Sequence, residues 1–68
     1  MYKIKLKLKE KRLDAKITQK TLARKCNINQ GHISKCERNL KSPTLTTVEK
    51  FCNALKIHPN ELLDIYKD

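Results

Sequence analysis

The residues with the most reactive side chains are three cysteines, Cys26, Cys36 and Cys52, and two histidines, His32 and His58. Zinc sites need paired ligands at close spacing. Here nine and fifteen residues separate successive cysteines, so no metal is implied. An odd count and no apolar leader at the basic start point to reduced thiols in a cytosol. Small apolar thiols of this kind pack in cores. The chain holds no nucleophile–base constellation and no Gly-rich phosphate loop, with one Gly in all. These absences argue against an enzyme, and no cofactor or small-molecule ligand is implied.

The stronger chemical signal is charge. The net charge is +9, and it is unevenly placed. Residues 1–38 hold twelve Lys/Arg against Glu10, Asp14 and Glu37, whereas residues 39–68 hold four Lys against four carboxylates. An asymmetric basic surface suits a polyanion, either nucleic acid or an anionic membrane. The Lys-apolar alternation of residues 2–9 has the wrong period for a membrane-surface helix. No apolar run approaches the roughly 20 residues of a membrane span.

Short helices must position that charge. Sixty-eight residues allow one small domain, 1–68. Tyr2, Ile4, Leu6 and Leu8 alternate with lysines, a strand-like period of two. The good helix formers that follow predict helix 1 over about residues 6–15. An exposed opening strand can also pair with its twin in a dimer. Thr18 is an N-cap type, Leu22, Ala23 and Cys26 form a helical stripe, and Asn27 tolerates a left-handed stop, so helix 2 spans about 18–26. Asn29 caps helix 3, about 30–38, which buries Ile33 and Cys36 and ends at Asn39. Val48, Phe51, Cys52 and Leu55 mark helix 4 over 45–55. His58-Pro59-Asn60-Glu61 opens a last short helix carrying Leu62, Leu63 and Ile65. The expected fold class is all-α: a compact five-helix bundle with a helix-turn-helix over about 18–38 and a short extended segment at the start.

The spaced residues Thr18-Gln19, Leu22-Ala23, Ile28-Asn29, Ile33-Ser34 and Glu37-Arg38 resemble the Cro/repressor (XRE-type) helix-turn-helix family. Ser42-Pro43-Thr44-Leu45, Val48–Leu55 and Ile57–Leu63 extend the likeness over about residues 8–63. The chain departs from that family's frequent Gly at Lys16, Asn27 and Asn39. Gly31 stands where the family often carries a base-reading side chain.

The resemblance implies that helix 3 enters the major groove of double-stranded DNA. Gln30 then matches adenine, Lys35 matches guanine, and His32 and Ser34 reach a base or phosphate. Gly31 lets the backbone approach a base. Thr18, Gln19, Asn29, Arg38 and Lys41 are the implied phosphate contacts. Arg12 and Glu37 fall on positions that pair helix 1 with helix 3, which also brings Arg12 near the phosphates. The implied function is a sequence-specific transcriptional regulator, a repressor acting as a homodimer in the cytoplasm of a bacterial, phage or mobile-element host. The competing reading is a protein-interaction or antitoxin-like adaptor domain on the same fold.

Overall fold

A computed structural model describes all 68 residues. The order is β1 (Tyr2–Leu6), α1 (Leu8–Asp14), α2 (Gln19–Cys26), α3 (Gln30–Glu37), α4 (Leu45–Leu55), α5 (Pro59–Leu62) and β2 (Leu63–Lys67). The helices surround one core of Leu8, Leu22, Ala23, Cys26, Ile33, Cys36, Phe51, Cys52, Leu55 and Leu62. No helix is long and apolar enough to cross a membrane.

Side chains set where the helices begin. Thr18 Oγ1 accepts from the Thr21 N–H at 3.1 Å, and Thr44 Oγ1 accepts from the Thr47 N–H at 3.2 Å. Asn29 Oδ1 accepts from the Gly31 N–H at 2.6 Å. At α5, His58 Nδ1 accepts from the Asn60 N–H while Glu61 accepts from the His58 N–H, a reciprocal cap.

One device ends α1 to α4. Lys16, Asn27, Asn39 and Lys56 each adopt a positive φ, between 55° and 60°. The residue after each, Ile17, Ile28, Leu40 or Ile57, bonds its N–H back to the last helical turn. Three of these four apolar residues also pack against the core. This is the Schellman arrangement, in which a left-handed residue and a following apolar contact satisfy orphan carbonyls. Asparagine enters that region readily, whereas lysine costs roughly 1 kcal/mol there.

The fold is not purely helical, which corrects the all-α expectation. The expected extended start is a full strand, so α1 begins at Leu8 rather than near Leu6. Residues 63–67, expected as the tail of the last helix, form the second strand. The two strands pair antiparallel, with Tyr2 opposite Lys67, Ile4 opposite Ile65 and Leu6 opposite Leu63. The alternation of Leu63 and Ile65 with Asp64 and Tyr66 suits this ribbon better than a helix, because only one side faces apolar neighbours. The opening strand thus pairs with the chain's own far end.

Candidate nucleic-acid interface

The three residues Ala23, Asn27 and Ile28 build the junction of α2 and α3. Ala23 is buried where the helices approach, Asn27 makes the left-handed stop, and Ile28 packs inward. Ile33 and Cys36 are fully buried and fix the rotation of α3. Gln30, Gly31 and Lys35 are therefore exposed on its outer face, with Ser34 half-buried at the margin. Lys35 lies one turn along from Gly31, so those two positions share a side, while Gln30 stands at the helix start, further round from Lys35.

Glu37 is the only carboxylate in α3, and it is neutralised from behind. Its Oε2 lies 2.6 Å from Arg12 Nε and its Oε1 lies 3.3 Å from Arg12 Nη2. Gln19 Nε2 donates to the same Oε1 at 3.0 Å. Arg12 Nη1 donates to the Ile17 carbonyl at 2.8 Å. One network thus ties α1, α2 and α3 together. It also withdraws the single negative charge of α3 from the outer face, which stays positive.

This network changes two implied phosphate contacts. Arg12 is 8% exposed and its donors point inward, so its guanidinium is a brace between helices and not an outward phosphate ligand. The Gln19 amide donor is likewise committed to Glu37. At the start of α2, the Gln19 and Lys20 N–H groups are left without intrahelical partners, as at any helix start. Thr18 stands exposed beside them, its hydroxyl already shared with Thr21. At the end of α3, Arg38 and Lys41 are exposed.

His32 also departs from its implied role. Its Nε2 is buried and meets no protein partner, so that atom is not presented to a base. Gly31 has a local reason to lack a side chain. A Cβ there would lie 2.9 Å from Asn29 Oδ1, the atom that caps α3. Asn29 is exposed beside the start of the reading face with its carbonyl oxygen in use.

The cysteines lie in the core, away from this face. All three are free and buried. Burial pushes each thiol above its ordinary pKa; Lys50 pulls Cys26 slightly back and Lys41 does the same for Cys36. No three His, Cys, Asp or Glu side chains converge as a metal site would require.

Two features were not read from the sequence. One is the Gln19–Glu37 bond. The lone carboxylate between Lys35 and Arg38 was the available signal, since an acid in a basic reading helix needs a partner. The other is Asn39, whose Oδ1 accepts from the Leu6 N–H at 3.1 Å and whose Nδ2 donates to the Leu6 carbonyl at 3.4 Å. That amide clasps the end of β1 to the exit of α3.

A family model described as Helix-turn-helix matches residues 8–62. The control protein C.BamHI of Bacillus amyloliquefaciens is 35% identical over 48 residues, 71% of this chain and 59% of that protein. The chain therefore spans less than two thirds of that relative's length. The crystal structure of the restriction-modification controller protein C.AhdI from Aeromonas hydrophila superposes with a TM-score of 0.77 at 29% identity. That match covers 81% of this chain and 83% of the other.

Proposed function

From the chain's place in the helix-turn-helix family, to which it belongs, we propose that it is a sequence-specific regulator of transcription. It binds double-stranded DNA as a homodimer in the cytoplasm and represses by occupying an operator. The observation that carries this reading is the outer face of α3. Gln30, Gly31 and Lys35 stand exposed on a helix whose only carboxylate is buried against Arg12. Gln30 and Lys35 carry the direct readout, with Ser34 at the edge. The starts of α2 and α3, with Thr18 and Asn29, and the side chains of Arg38 and Lys41 hold the phosphates. Two copies place their α3 helices about one helical turn apart, roughly 34–36 Å. By likeness to the control and controller proteins, the regulated genes are those of a restriction-modification system.

Selection from a random duplex pool, followed by fluorescence titration of the selected and scrambled duplexes, tests this. The selected duplex binds more tightly, and log affinity falls linearly with log salt. Lys35→Ala relaxes preference at one base pair by about 1–3 kcal/mol. Arg38→Ala weakens all sequences alike and lowers the salt slope by about one. Binding without sequence preference at every salt concentration defeats the proposal in favour of the adaptor reading.

A further inference from the structure

The ribbon of β1 and β2 has an apolar face. Cross-strand partners share a face, so Tyr2, Ile4 and Leu6 lie on the same side as Leu63, Ile65 and, at the far end, Lys67. Leu6 packs against the core and Leu63 is half-buried, but Ile4 is 63% and Ile65 55% exposed. Beneath them runs an apolar groove lined by Pro43, Leu45 and Val48. A two-stranded ribbon is marginal by itself. One with an exposed apolar face needs a further strand or cover.

The hydrogen-bond phase of the ribbon tells which edge is open. Met1 and Asp68 exchange both backbone bonds, and the Lys7 N–H donates to the Leu62 carbonyl. Bonded rungs alternate along an antiparallel pair. Lys3–Tyr66 and Lys5–Asp64 are thus the bonded rungs, and residues 2, 4, 6, 63, 65 and 67 turn their backbone groups outward. On β1 the outward groups of Leu6 are already taken by Asn39. Pairing β1 with its twin about Ile4 also sets Lys3 opposite Lys5, a like-charge clash. On β2 the Ile65 N–H and carbonyl face outward without a partner. Pairing about Ile65 sets Asp64 opposite Tyr66 and Leu63 opposite Lys67, with no like charges opposed.

We propose that the outer edge of β2 joins the β2 edge of a second copy of this chain, antiparallel, with the two-fold axis passing between the two Ile65 residues. The product is a four-stranded sheet in the order β1-β2-β2-β1. Its apolar face carries an unbroken strip of Ile4, Ile65 and their two counterparts. The assembly closes as a dimer, because the clasp at Asn39 and the lysines of β1 blunt the remaining edges. This rests on the homodimer reading above and assigns the surface that makes it.

The test is sedimentation of the full chain across concentration, with circular dichroism to monitor folding. Ile65→Pro removes the outward N–H and leaves the β1–β2 ladder intact. It raises the dimer dissociation constant at least tenfold without loss of helix signal. Ile65→Lys and Ile65→Glu separately do the same, and an equimolar mixture of the two re-forms a one-to-one dimer, because residue 65 faces its own counterpart. The mixture decides the matter if the proline variant misfolds. A wild-type dimer that all the Ile65 variants leave intact overturns the edge and spares the homodimer reading. A mixture no tighter than its components also overturns the edge. A wild type that stays monomeric at high concentration overturns both.

Discussion

Two isoleucines show how differently the two ends of the molecule are built. Ile33 in α3 is fully buried, whereas Ile65 in β2 is 55% exposed. The first sits where α3 packs against α1 and α2 and where side chains answer almost every polar group of the junction. The second sits on a ribbon that touches the bundle only at its base. The α2–α3 junction therefore closes its apolar and polar groups within the chain, whereas the ribbon leaves apolar surface open. Close packing is concentrated in the bundle, and open apolar surface is left on the ribbon.

The largest expected effect lies in the network behind α3. Glu37→Ala strands a guanidinium that is 8% exposed, at a cost of about 3–5 kcal/mol. That approaches the whole stability of so small a domain, so urea denaturation should find the variant largely unfolded. A midpoint near the wild type's would remove the contrast between the two regions. Next comes a matched pair of truncations. Ile33→Ala is expected to lose about 2–5 kcal/mol and Ile65→Ala less than about 1 kcal/mol for the dissociated chain. Equal losses would mean that the ribbon is as well packed as the bundle.

Asn39 joins the regions and sharpens the boundary between them. Asn39→Ala gives up the amide clasp and places a β-carbon at a φ of 56°, an expected loss of about 1–2 kcal/mol. Amide exchange at Leu6 should accelerate while α4 stays protected. Asn39→Gly, which keeps the turn and loses the clasp, should show the same acceleration with a smaller loss of stability. The smallest effect is at Gly31. Gly31→Ala gains up to about 1 kcal/mol of helix propensity and disturbs a cap of similar worth, so the melting temperature should barely move. A larger loss would show that the Asn29 side chain has no room to shift.

Much of the bundle was legible because its signals are local. Thr18 and Asn29 are capping types in place, Asn27 and Asn39 are residues at ease in left-handed stops, and the apolar stripe from Val48 to Leu55 has helical period. The Arg12–Glu37 pairing followed from family resemblance, not from spacing. What stayed hidden was non-local or locally contradicted. Leu63–Lys67 reads as a helix tail until β1 lies beside it, and no neighbour in sequence announces that partner. Lys16 and Lys56 turn left-handed against their own preference, because Ile17 and Ile57 gain cover in the core. The candidate interface was legible as a face but not residue by residue. His32 and Arg12 carry polar groups that the packing turns inward.

The rung between Leu6 and Leu63 spans almost the full length of the chain. Closing so long a loop carries an entropic cost that contacts within the helical hairpins largely avoid. The helical hairpins, whose contacts lie closer in sequence, can therefore form before the ribbon closes. The bundle is thus assembled early, and the ribbon is completed late. The same order in reverse makes the ribbon the first part to open, with the α2–α3 junction still closed behind it.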